Sequence, residues 1–193
     1  MKIDDIIKQI QNAEGKASAN RPLPPVDQWH PPFSGDLDMR ITRSGAWFYL
    51  GSEIKRPALV KLFSSILLYE GGEYYLVTPV EKYRIQVDDV PFIIVASEHR
   101  YADDPDSKDP VSVWVCTTNV GESVVLDNEH PLNVVMDAET EEPSPYVLVR
   151  SNLKARVNRN VFYQMVEQAE CEEGETNCLY LMSCHERFEL GRF

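Results

Sequence analysis

Four basic side chains stand at the start of two helix-patterned segments: Lys55 and Arg56 before PALVKLFSSIL, and Arg156 and Arg159 beside RNVFYQMVEQA. The first turn of a helix carries unpaired N–H groups and the positive end of the helix dipole, so cations there are unfavourable by about a few tenths of a kcal/mol. A bound anion reverses that sign. Pro57 suits the first helical position, and Asn158 or Asn160 suits a cap. The two starts therefore read as places for a phosphate or carboxylate. The competing reading is an ion pair with Glu53, Glu81, Glu186 or a neighbouring Asp.

Asp36, Asp38 and Arg40 form a second constellation in GDLDMRI. Alternation along a strand puts them on one face and Leu37 and Met39 on the other. Such a face could hold a cation or a ribose, or serve a metal-dependent transferase or hydrolase using Asp36 and Asp38; solvated carboxylates are the plainer alternative. Asp103, Asp104, Asp106 and Asp109 lack the glycine and terminal glutamate of a calcium loop and read as a solvated loop. The spacing of Cys171, Cys178, Cys184 and His185 matches no zinc ribbon. No hydrolase, zincin or phosphate-loop motif surrounds His30, His99, His130 or His185, so no catalytic residue, metal site or cofactor is nominated. Trp29 and Trp47 could stack on a base, but a Trp in AWFYL is more simply core.

The elements that position these groups occur twice. YYLVTPVEKYRI returns near the chain's end as LYLMSCHERFEL, and aligning Tyr75 with Tyr180 gives three identities and five conservative pairs in eleven columns. Upstream, Leu59, Leu62, Phe63 and Ile66 line one helix face, and pairing Arg56 with Arg159 sets Phe162, Met165, Val166 and Ala169 opposite them. WFYLGSEI parallels YVLVRSNL, with Ala155 to Asn158 read as an insertion before the second helix. The fold expected is α+β: an internal duplication of a strand-helix-strand-strand unit with mostly antiparallel sheets.

Composition restricts partners. The chain of 193 residues has a net charge of −12, concentrated in residues 98–145, where 12 acidic side chains face only Arg100 and Lys108. Residues 1–97 hold 12 acidic and 11 basic groups, and residues 146–193 hold 7 and 6. That field opposes nucleic-acid binding. No apolar run reaches membrane-spanning length and MKIDDIIKQIQNAEG has no signal-peptide core, so neither a membrane nor export is expected. Four cysteines without framework spacing fit a reducing cytoplasm.

The chain divides into an N-terminal helix and Pro-rich arm (1–33), a first α+β repeat (34–91), an acidic β-hairpin region (92–143) and a second repeat (144–193). PLPPVDQWHPPF reads as an extended arm, FIIVASE and VSVWVCTT as a hairpin, VVLDNEHPLNVV as two short strands, and TEEPSPY as a linker. The Thr78-Pro79 step marks a bend or an edge.

WHPPFSGDLDMRI, GAWFYLGSEIKRPALVKLFSSIL, YYLVTPVEKYRIQVDDVPF and TNVGESVVLDNEHPL resemble the bacterial DUF1285 family of unknown function, from Trp29 to the C-terminus. The resemblance implies a duplicated α+β core, a C-terminal half loosely like a pleckstrin-homology fold, and a ligand site between the halves. It also implies a nucleotide-based ligand and a part in bacterial signalling, without enzymatic activity. The function expected is thus non-enzymatic binding of a small anionic or nucleotide-like ligand at Asp36, Asp38, Arg40, Lys55, Arg56, Arg156 and Arg159, with a protein partner in signalling. The alternatives are the metal-dependent enzyme and a protein-interaction module.

Overall fold

Alternating apolar and polar residues in FSGDLDMRI become strand β1 (Phe33–Ile41), with Met39 and Ile41 buried and Asp36, Asp38 and Arg40 exposed. The structure, a computed structural model, describes residues 7–8, 23–104, 109–136, 142–172 and 177–192. The amphipathic start lies outside the described residues except for Ile7 and Lys8, which are helical. Two compact units meet in sequence at Pro91 and Phe92.

In the first unit, a 3-10 turn (Val26–Gln28) interrupts the expected extended arm and buries Val26. After β1 come β2 (Trp47–Tyr49), β3 (Ser52–Glu53), helix α1 (Pro57–Ser65), β4 (Leu67–Glu70), β5 (Glu73–Val77) and β6 (Lys82–Val87). They form one sheet in the order β3-β2-β1-β6-β5-β4, antiparallel except for the β1–β6 pair. Helix α1 begins at Pro57, whose missing N–H is not needed in a first turn, and stops at Ile66, whose N–H reaches Phe63 O and Ser64 O. Its apolar side brings Phe63 against Trp47, ring centroids 6.4 Å apart, in a core with Met39, Ile41, Ile66 and Leu76.

The second unit starts with the expected hairpin, β7 (Phe92–Ala102) and β8 (Val111–Thr118), then β9 (Ser123–Val125) and β10 (Leu132–Met136). There follow β11 (Pro143–Arg150), β12 (Leu153–Val157), helix α2 (Arg159–Glu167), β13 (Glu170–Glu172), β14 (Cys178–Ser183) and β15 (Glu186–Arg192). One sheet runs β10-β11-β12-β7-β8-β9, and β13-β14-β15 form a second. PSPY is strand, not linker. Pro143 and Pro145 face β10 alone, because the pairing of β12 ends at Tyr146, and on that open edge a missing N–H costs little.

The duplication is visible in the order of elements: hairpin, helix and three-stranded meander occur as β2–β3, α1, β4–β5–β6 and again as β11–β12, α2, β13–β14–β15. Pairing is reproduced as well. Tyr75 opposes Arg84 and Leu76 opposes Tyr83, just as Tyr180 opposes Glu189 and Leu181 opposes Phe188. The extra length does not precede the second helix as Ala155 to Asn158. Most of it lies where the two-residue turn Gly71-Gly72 of β4–β5 is replaced by the longer β13–β14 connection between Glu172 and Cys178. The helices are also offset by one residue from the sequence pairing: their caps are Arg56 and Asn158, and Phe63 and Met165 occupy matching buried places. Helical periodicity tolerates such a slip because successive i, i+3 and i+4 positions overlap on one face.

The Thr78-Pro79 step is a hairpin turn: Thr78 N–H donates to Glu81 O at 2.9 Å, and Pro79 and Val80 form the tip. Its counterpart, Cys184-His185, has left-handed φ values of 50° and 66°. Proline cannot adopt that conformation, so equivalent hairpins close with different turns.

Candidate functional site

The β1–β6 seam of the first unit does not keep even register. Asp36 pairs with Arg84, but the next pair is Arg40 with Gln86, so β1 uses four steps where β6 uses two. The surplus bulges around Leu37 to Met39. A bulge diverts ladder groups to other partners, and Asp38 O here accepts from Leu50 N–H at 2.9 Å. Over this irregular seam lies a cavity of about 1020 Å³.

Two ion pairs cross it. Arg40 grips Asp88 with both ends of its fork, at 2.8 Å each, and Arg84 Nε donates to Asp36 Oδ1 at 2.7 Å. The Arg84 hydrogen bond holds the Asp36 carboxyl below the usual carboxylate range, and Arg40 does the same for Asp88. Asp38 sits on the same face between them, and no described side chain forms an ion pair with it. Tyr69 and Tyr74 line the cavity with ring centroids 4.6 Å apart. Burial, aided by Tyr69 and Asp89, pushes the Tyr74 phenol up to about 12, so it remains a neutral donor. With Glu73 and Asp89, the lining holds five carboxylates against the guanidiniums of Arg40 and Arg84.

The sequence-derived candidates therefore separate. Asp36, Asp38 and Arg40 share the cavity. Lys55 and Arg56 are exposed at the start of α1, where the cap residue Arg56 makes no side-chain capping bond and neither side chain forms an ion pair among the described residues. Arg156 belongs to strand β12, not to the helix start, and is half-buried. Arg159 is the first residue of α2; its Nε donates to the Tyr163 hydroxyl at 2.8 Å, and its guanidinium lies 5.4 Å from that ring's centroid. Asn158 caps α2 by accepting from Asn160 N–H at 3.0 Å, which already satisfies one of the donors an anion would use. Of the acids that could compete for these cations, Glu186 accepts from Asn128 and Glu81 from the Tyr83 hydroxyl.

Sequence reasoning missed Arg84, Asp88, Tyr69 and Tyr74. Alternation in KYRIQVDD marks Arg84 as outward-facing, yet the strand opposite it is fixed only by a parallel pairing between distant segments. Trp47 is core, 1 % exposed and stacked on Phe63. Asp104 accepts from His185 Nε2 at 2.9 Å, while Asp106 lies outside the described residues. No group of three or more His, Cys, Asp or Glu is placed to hold a metal among the described residues. No described helix is long and apolar enough to cross a membrane.

Residues 24–90 match the N-terminal domain of the DUF1285 family, a domain of unknown function, and residues 91–190 match its C-terminal domain. A DUF1285 family protein from Silicibacter pomeroyi DSS-3 of solved structure is 42% identical, with a TM-score of 0.76, covering 94% of this chain and 93% of its own. Another, from Shewanella baltica OS155, is 29% identical with a TM-score of 0.49, covering 68% and 92%. No curated protein matches. The chain belongs to the DUF1285 family.

Proposed function

We propose that this member of the DUF1285 family is a non-enzymatic ligand-binding protein whose first unit takes a nucleoside-like molecule in the cavity over the β1–β6 seam. The observation that carries the reading is Asp38, a carboxylate without an ion-pair partner among the described residues, between the Asp36–Arg84 and Arg40–Asp88 pairs. Vicinal hydroxyls of a ribose are donors suited to Asp36 and Asp38, and the Tyr69–Tyr74 pair offers a ring face and a neutral hydroxyl. A cavity of about 1020 Å³ accommodates a molecule of that size. The lining favours hydroxyl or amino groups over phosphate, because an anion would have to displace Asp36 or Asp88 from its arginine. An anionic portion is better served at the start of α1, where Lys55 and Arg56 stand exposed at the positive end of the helix dipole.

A β-rich second unit with two sheets supports the expected likeness to a pleckstrin-homology fold, and with it a binding module in signalling rather than an enzyme. Four unbridged thiols support a cytoplasmic setting. The metal-dependent alternative gains no favouring observation, since Asp36 is engaged by Arg84 and, among the described residues, Asp38 belongs to no group of three potential metal ligands.

Thermal shift with nucleosides, their 5′-monophosphates and the matching free bases tests this, because a ligand specific to the folded state raises the melting temperature. Nucleosides should raise it in the wild type and not in Asp38→Asn. Equal shifts for bases and nucleosides, or a full response from Asp38→Asn, would sink the proposal. If monophosphates act more strongly and Arg56→Ala removes only that increment, the anion subsite lies at α1.

A further inference from the structure

The second unit repeats the seam, but leaves it without a ladder. Strand β10 precedes the β11–β12 hairpin and pairs antiparallel with β11, as β1 does with β2; β15 is the third strand of its meander, as β6 is. In the first unit β1 and β6 are hydrogen-bonded neighbours, whereas β10 and β15 end two different sheets. A groove of about 770 Å³, lined by both strands, lies there.

Its chemistry differs from that of the first cavity. Two glutamates and two arginines line it, and they are engaged locally: Arg192 grips Glu189 at 2.8 and 3.0 Å, Arg187 pairs with Glu172, and Glu186 accepts from Asn128. Among the described residues the lining thus carries no net charge, and its four ionic side chains are each engaged by a neighbour. Leu132, Phe188 and Leu190 are buried beneath it, and Met136 is 53% exposed at its edge.

Gly191 supplies an independent observation. It lies inside β15, where glycine weakens a strand, yet its φ is not left-handed and a Cβ placed on it would meet nothing within 4 Å. The register shift between Leu179 and Tyr180 bends the ladder here, but a bulge with ordinary φ accepts any residue. What the missing side chain does is leave the groove open. Its counterpart in the first repeat, Gln86, carries a side chain.

We infer that the β10–β15 groove is a second binding site, taking an uncharged small molecule with an apolar body that packs over Gly191 and Met136. Volume, neutrality and a glycine that the backbone does not require converge on that class.

The test uses the full chain and the neutral dye Nile red. Wild-type protein should raise and blue-shift its emission saturably at one site. Gly191→Leu, which fills the groove, and Met136→Glu, which charges its edge, should each weaken binding by about tenfold or more without lowering the melting temperature. Gly191→Ala should fall between. The anionic dye 1-anilinonaphthalene-8-sulfonate should bind more weakly than Nile red. Unchanged Nile red affinity in both Gly191→Leu and Met136→Glu, no saturable binding by the wild type, or a preference for the anionic dye would overturn the site. Because Met136 is exposed, Met136→Glu remains informative even if Gly191→Leu fails to fold.

Discussion

Arg84 and Asp36, 48 residues apart in the chain, meet at 2.7 Å across the parallel seam of the first unit. The pair stands at the last regular rung before β1 bulges, with its carboxylate on the face shared by Asp38. Asp36 and Asp88 are both held below the usual value of 3.8 by their arginines, so each contributes stability present above that value and lost as pH falls below it. Carboxyl NMR titration should place both midpoints under 3.8. Arg84→Met should raise the Asp36 midpoint alone, and Arg40→Met that of Asp88 alone. Joint movement in either variant would show one coupled cluster instead of two pairs. Both groups are exposed, so the melting temperature should hardly change.

Leu50 has a φ of 49° and is 64% exposed in the two-residue turn with Gly51. Left-handed backbone costs an ordinary residue about 1 kcal/mol, and Asn-Gly is the favoured sequence for a turn with both φ values positive. Leu50→Asn should therefore stabilise by roughly 0.5–1 kcal/mol in urea unfolding. Its backbone bond to Asp38 is retained, so a loss of stability would mean that the Leu50 side chain packs against a partner.

Phe63 and Met165 hold matching places in the two helices, each 0% exposed. Phe63→Ala should cost about 3–5 kcal/mol and Met165→Ala about 2–5 kcal/mol, read from denaturant midpoints. A cost below about 1 kcal/mol at either residue would remove it from the core and break the equivalence.

Burial pushes the Cys116 thiol up to about 12, whereas Cys171 is exposed. An aromatic disulfide reagent at pH 8 should label Cys171 within the first phase and Cys116 only after denaturation, since the thiolate is the reacting form. Cys171→Ser should remove the fast phase. If the fast phase survives that substitution, another cysteine is open to the reagent.

What was legible in the sequence is what local periodicity carries. The faces of both helices, the outward alignment of Asp36, Asp38 and Arg40, the β7–β8 hairpin and the duplication all follow from side chains repeating every two or 3.6 residues, which is set by backbone geometry alone. The matched rungs Tyr75–Arg84 and Tyr180–Glu189 show how far that reaches. Periodicity does not say which distant strand will be the neighbour. Tertiary pairing brought Arg84 to Asp36 and Asp88 to Arg40, turning a set of cations into satisfied pairs and leaving Asp38 as the open group. It also drew Arg156 into a sheet, because the hairpin before α2 extends to Val157, and it moved the extra residues of the second repeat into the β13–β14 connection. The two seams share one element order, yet the first closed with hydrogen bonds and the second stayed a groove. That difference depends on whether two edges from separate parts of the chain come into register, and no local pattern in either strand encodes it.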